Sequence, residues 1–238
     1  MSDTAGVVSS AILQKRAMGQ VAILAEIKTR RHDSLDLLRG RDVGQIAAAY
    51  ARGGASVISV VTGKWFGGTI ELLDRIAAMD LGLPVLRKDF IRNKKALRES
   101  KDRGASAVLL TRQILDADRF AELVADARDL ELEPFVEVAN SGELADVLAS
   151  YDGLVAINNA DIATREATSA GIGRSLDMRG TDGADDRVWV SASKVDNPGD
   201  IALLAAAGFD GALVGTHLMM ADDPEGATRD LVSAGCRT

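Results

Sequence analysis

Short apolar runs recur along this chain at residues 21–28, 56–61, 84–88 and 106–110, in a run ending at Glu137, and at 153–157, 188–192 and 211–214. Runs of that length bounded by polar turns fit buried strands. Between them the apolar positions switch to helical spacing. Val43, Ile46, Ala47 and Tyr50 share one face, with Asp42 placed to cap the helix start and Gly53-Gly54 to stop it. Phe120, Leu123, Val124 and Ala127 form a second stripe, and Leu144, Val147, Leu148 and Tyr151 a third. Helices are also predicted over 9–18, 70–79, 93–103 and 197–207, and a last one begins near Pro224, a residue suited to a first helical turn. Over 160–187 the pattern weakens, leaving a short helix near 175–178 and a glycine- and aspartate-rich turn at 180–186.

Strands alternating with helices predict an α/β fold, a single-domain (β/α)8 TIM barrel over 21–238 preceded by a short N-terminal helical extension over 1–20. A doubly wound open sheet is the other architecture that the alternation allows. The barrel is preferred because the polar anomalies stand at the C-terminal ends of strands, the face on which such barrels gather reactive groups. Glu26 and Lys28 end the first run, Lys88 the third and Glu137 the fifth, and Asn158 stands at the exit of the sixth. No buried strand needs these residues for its core. On a barrel they converge on one mouth.

Composition narrows the partners. An apolar content of 47% and a charged content of 26% over 238 residues suit an ordinary globular core. A net charge of -7 opposes a nucleic-acid partner, so any bound anion is expected to be small. The single cysteine, Cys236, forms no internal disulfide and fits a reducing compartment. The first twenty residues lack the features of a secretory signal, and no apolar run reaches the roughly 20 residues of a membrane span. A cytoplasmic protein with no membrane association is expected. His32 and His217 have no further ligands at suitable spacing, so no metal is expected.

The segments Ala25-Glu26-Ile27-Lys28, Ser59-Val60-Val61-Thr62, Phe66-Gly67-Gly68-Thr69, Leu86-Arg87-Lys88-Asp89-Phe90, Ala107-Val108-Leu109-Leu110, Glu137-Val138 and Ile157-Asn158-Asn159 follow one another at the strand ends. In that order they resemble the indole-3-glycerol phosphate synthase family of the tryptophan pathway, with Leu-Arg-Lys-Asp-Phe the most specific piece. The resemblance implies a barrel without metal or organic cofactor. It also implies a carboxy-lyase whose small-molecule partner is a phosphorylated anilino-sugar, and a monomer or weak homodimer. The reaction closes the pyrrole ring of a carboxyphenylamino-deoxyribulose phosphate with loss of carbon dioxide and water.

By the same resemblance, Lys88 and Lys28 are general acids, and Glu26 and Glu137 supply the base and orient the lysines. Asn158 hydrogen-bonds a substrate hydroxyl, Phe66 lines the aromatic subsite, and Ser193 belongs to the substrate site. As barrel phosphate sites often use the last two loops, Gly215 and Thr216 are expected to present backbone N–H groups to the phosphate, the alternative being a glycine that serves only the turn after the strand. Residue by residue, the alternatives are solvated strand-end lysines, a structural ion pair, a turn-forming asparagine and a core aromatic, the last for Trp65 as well as Phe66.

The chain departs from the family pattern at three places. Arg31-His32-Asp33 stands where a Ser-Pro-Ser segment is usual, Ser191-Ala192-Ser193-Lys194 stands for Ser-Glu-Ser-Gly, and Ala160 stands for an arginine. Arg31 and Lys194 are therefore predicted to bind the anion by charge-assisted contacts. The losses at Ala192 and Ala160 leave two other possibilities, a paralogue acting on a modified anilino-sugar phosphate and a non-catalytic barrel that binds a phosphometabolite.

Overall fold

The computed structural model describes residues 6–31, 33–160, 171–179 and 187–237. Among these, eight strands pair in parallel and in chain order: β1 (Ala22–Ile27), β2 (Val57–Val61), β3 (Val85–Lys88), β4 (Ala107–Thr111), β5 (Glu133–Val138), β6 (Val155–Asn158), β7 (Trp189–Ala192) and β8 (Gly211–Val214). β8 pairs back onto β1, with Ala22 opposite Gly211 and Ala25 opposite Val214, so the sheet closes and has no edge. That closure makes a (β/α)8 barrel and excludes the open doubly wound sheet.

Helices α1 (Val7–Ala17), α2 (Val43–Arg52), α3 (Ile70–Ala77), α4 (Lys94–Asp102), α5 (Ala117–Asp129) and α6 (Ser141–Ser150) are followed by α7 (Gly173–Arg179), α8 (Pro198–Ala206), α9 (Thr216–Met220) and α10 (Pro224–Ala234). The apolar stripe of α2 is buried as its spacing predicts, and the Asp42 carboxylate accepts from the Gly44 and Gln45 amides at its start. The five-residue α9 is an addition that the hydrophobic pattern did not announce, because one turn and a half carries too little periodicity. Residue 32 and the turn predicted at 180–186 lie outside the described residues.

Strand alternation sorts the core into two layers. Ile23, Ala25 and Ile27 of β1 pack outward against the helices with Val60, Val108, Val136 and Val214. Ala22 and Leu24 point inward and meet Leu86, Leu109, Phe135, Ala156, Val190 and Leu213 inside the barrel. That interior is packed with side chains and is no channel.

Helix α1 closes its N-terminal end. Val8 and Ile12 join the interior cluster from below. The Glu133 carboxylate, on the first residue of β5, accepts from the Val8 amide at 2.7 Å, from the Ser9 amide at 3.1 Å and from the Ser9 hydroxyl. A carboxylate on another element thus satisfies amides that the first turn of a helix leaves without partners. Burial pushes the Glu133 carboxyl up, against the opposing effect of these hydrogen bonds. Among the described residues no helix is long and apolar enough to cross a membrane.

Candidate active site

The period-two rule that fills the barrel interior also builds its mouth. Two residues beyond inward Leu24 comes Glu26, and two further Lys28; Lys88 follows Leu86, Glu137 follows Phe135, Asn158 follows Ala156, and Gly215 follows Leu213. Glu26, Lys88, Glu137 and Asn158 each take the next inward position above an apolar one, and Lys28 the position above Glu26. Arg87 has the opposite parity and leaves the mouth. It reaches outward to the Ala96 carbonyl, Glu99 and Ser100 of α4, and to Thr62 and Asp89.

Glu26 is the centre of the arrangement. Its two carboxylate oxygens stand 3.5 Å from the Lys28 ammonium and 3.4 Å from that of Lys88. Glu26 and Lys28 are only 3% and 4% exposed. Burial works to raise the Glu26 pKa, but the two flanking ammonium groups and their hydrogen bonds outweigh it and hold the carboxyl below its ordinary range. Lys28 also stands over the Phe66 ring, 5.4 Å from its centre.

A cavity of about 260 Å³ opens above this cluster, lined by Glu26, Lys88, Glu137, Asn158, Phe66 and Phe90 among others. Trp65 stacks on Phe90 at its lip, with ring centres 4.7 Å apart, and stays 45% exposed. The loop bearing Trp65 and Phe66 is tied to the end of β1 by the Thr29 hydroxyl, which donates to the Gly67 carbonyl at 2.7 Å. Gly68 lies so close to the backbone of Val61 and Thr62 that a Cβ there would overlap it.

A second cavity of about 190 Å³ lies on the other side of Glu26, lined by Lys28, Arg31, Ser193, Lys194, Gly215 and Thr216. All the residues expected to grip an anion meet there. Arg31 does so with its guanidinium engaged by Asp33 through contacts of 3.0 and 2.6 Å, a pairing that raises its pKa. Ala160 lines the first cavity; Ala192 is fully buried in the barrel interior, opposite Asn158 in the sheet.

Sequence reasoning missed the residues that hold these groups in place. The Asn159 side-chain amide donates to the Ser191 hydroxyl and to the Ala192 and Ser193 carbonyls, and its oxygen accepts from the Ser175 amide of α7. Arg174, also on α7, donates to the Asn158 and Ala160 carbonyls at 2.8 and 3.0 Å. An asparagine next to a site asparagine carries no periodic signal that separates the two. Asn158 turns its own side-chain oxygen to the Ala160 amide at 2.9 Å, a local turn contact. His217 is half-buried on α9, and no group of three His, Cys, Asp or Glu able to hold a metal ion occurs among the described residues.

Comparison with known proteins bears on this geometry. The family model for indole-3-glycerol phosphate synthase matches residues 7–231. The chain is similar to indole-3-glycerol phosphate synthase 2 of Ralstonia nicotianae, 35% identical over 229 residues that cover 94% of this chain and 82% of that one. It is similar also to the indole-3-glycerol phosphate synthase of Kineococcus radiotolerans, 35% identical over 216 residues, 90% of this chain and 77% of that one. Among solved structures, 3-hexulose-6-phosphate synthase of Salmonella typhimurium superposes with a TM-score of 0.71 at 14% identity, over 90% of this chain and 98% of that one. Tryptophan synthase of Mycobacterium tuberculosis gives 0.70 at 16%, over 98% of this chain and the whole of that one. At such identities these two likenesses show the fold alone.

Proposed function

The chain belongs to the indole-3-glycerol phosphate synthase family, and from that premise we propose that it is the carbon-carbon lyase of tryptophan biosynthesis that makes indole-3-glycerol phosphate. Its substrate is 1-(2-carboxyphenylamino)-1-deoxyribulose 5-phosphate. The ring carbon bearing the carboxylate attacks the sugar carbonyl, and the carbonyl oxygen takes a proton and becomes a hydroxyl. Carbon dioxide leaves, its bonding electrons restoring the aromatic ring. Loss of a proton and of that hydroxyl as water then completes the pyrrole.

The observation that carries the reading is Glu26 shared between Lys28 and Lys88 at 3.5 and 3.4 Å beneath an aromatic-lipped cavity. Two ammonium groups fixed by one carboxylate are suited to deliver protons to oxygen, first at the carbonyl and then at the departing hydroxyl. Lys88 faces the aromatic cavity and takes the first task; Lys28, on the side of the second cavity, takes the other. Glu26, with its depressed proton affinity, is a poor base and serves as the anchor. Glu137 faces the same cavity and accepts the proton lost from the substrate. Asn158 orients a sugar hydroxyl, Phe66 packs on the aromatic ring, and the ester end enters the second cavity among Arg31, Ser193, Lys194, Gly215 and Thr216. The family match favours neither a specialised paralogue nor a binding scaffold.

The test is turnover of that substrate followed by indole fluorescence, with Lys88→Met and Lys28→Met alongside the native protein. Native turnover is expected, with each variant losing on the order of 10²–10⁴ in kcat. Absence of turnover by the native protein, or full activity of Lys88→Met, overturns the reading.

A further inference from the structure

Arg87 takes the outward position of β3 that follows Val85, where the sheet packs against its helices and an apolar side chain would be expected. It is buried all the same. A buried guanidinium is costly unless its hydrogen bonds are met, and a well-packed apolar residue would serve stability as well, so the charge calls for another reason. On the α4 side the guanidinium meets Glu99 and Ser100, each at 3.1 Å, and the Ala96 carbonyl at 3.3 Å. The rest of the fork turns toward the strand ends. There Nε donates to the Thr62 hydroxyl at 3.1 Å and Nη2 to the Asp89 carboxylate at 3.3 Å.

Asp89 follows Lys88 in the chain and lines the same cavity. A carboxylate so placed is a ready partner for the ammonium beside it. Its oxygens are engaged elsewhere. Oδ2 accepts from the Thr62 hydroxyl at 2.8 Å and from Arg87, and Oδ1 from the Phe90 amide at 2.8 Å. Lys88 pairs instead with Glu26, which Lys28 shares. The remaining charged group lining that cavity among the described residues is Glu137 of β5; Val61, Leu109 and Asn158, from β2, β4 and β6, bring none. A further carboxylate against the Lys88 ammonium would favour its charged form and make it a weaker acid.

We propose that Arg87 and Thr62 form a clamp that withholds Asp89 from Lys88, and that Arg87 is thereby a positioning residue that fixes how readily Lys88 gives up its proton. The inference rests on reading Lys88 as the general acid. It adds why the acid next to it in the chain does not neutralise it. A guanidinium suits the task because it stays charged at every pH at which a lysine titrates, so the clamp does not loosen as Lys88 loses its proton.

The test follows the titration of Lys88 by NMR of isotope-labelled lysine, without substrate, the signal being identified by its loss in Lys88→Met. Arg87→Met and Thr62→Val should each raise the pH at which Lys88 titrates by about one unit, the low end of what an adjacent opposite charge brings. Asp89→Asn alone should move it little, and added to Thr62→Val it should cancel the rise. Thr62→Val changes no charge, so a rise there reports the released carboxylate and not the lost guanidinium, and it carries the test if Arg87→Met does not fold. In turnover the basic limb of the kcat profile should move up with the titration while KM changes little, a split that a merely structural role would not produce. An unmoved Lys88 titration in either folded variant, or a rise that Asp89→Asn fails to cancel, overturns the clamp. Because the titration needs no substrate, the expected rises without ring closure by the native protein would sink the proposed reaction and leave the clamp standing, and ring closure with an unmoved titration does the reverse.

Discussion

Gly215 approaches Glu26 so closely that a Cβ built on it would overlap the carboxylate oxygen Oε1 and stand 3.1 Å from Cδ. The three nearest atoms all belong to Glu26, and the backbone of Gly215, at φ -116°, is open to alanine. A methyl group there would push the carboxylate rather than the fold. Gly215→Ala is therefore expected to fold normally and to lower kcat roughly 10- to 100-fold, the scale of loss from an ångström of misplacement. Shortening the acid in the same background, Glu26→Asp, should restore part of it. Unchanged kcat in the single variant, or a deeper loss in the double one, would show that the close approach has no bearing on catalysis.

The ion triad sets an acid limit on stability. The folded pKa of Glu26 lies below the ordinary 4.5 despite burial, because Lys88 and Lys28 favour the ionised form. A depressed acid contributes stability that is present above its unfolded pKa and lost as pH falls through the folded one. Thermal melts of the native protein and Glu26→Gln should therefore differ most near neutrality and converge in acid below 4.5. A gap that stays constant down to that range contradicts the coupling.

Asp33 engages the same guanidinium that a phosphate would use. The pair is partly exposed, with side chains 34% and 45% accessible, so it is weak and exchangeable. Asp33→Asn should release Arg31 and lower KM by roughly two- to fivefold, the range open to an exposed pair. A rise in KM would mean that Asp33 holds Arg31 in position for the ligand.

At the opposite end of the barrel, Glu133 joins α1 to β5. Glu133→Ala leaves the Val8 and Ser9 amides without their acceptor and opens a gap below the interior. A loss of about 1–3 kcal/mol in denaturant unfolding is expected, with turnover at low temperature little changed because the site is at the far end. Native stability in that variant would show that α1 docks by its apolar contacts alone.

The strand runs and helical stripes were legible because burial is a local demand: each strand must alternate or stay apolar, and each helix must show one apolar face, whatever its neighbours are. The same local rule exposed Glu26, Lys28, Lys88, Glu137 and Asn158, since a charge or amide on the next inward position of an apolar strand has no packing reason to be there. Order along the chain and eight repeats were enough to suggest closure. What the tertiary structure alone decided is which groups share charge across strands. The family resemblance set two glutamates against two lysines without saying which meets which; that Glu26 takes both, reaching Lys88 through the registers of β1, β2 and β3, and that Glu133 meets the start of α1, came only from the fold. Nor did the sequence show that Asn159, rather than its neighbour Asn158, fixes the turn after β7, or that Lys194 sits in a left-handed conformation. Those facts depend on distances between residues far apart in the chain and on backbone angles, quantities that no single residue's chemistry specifies.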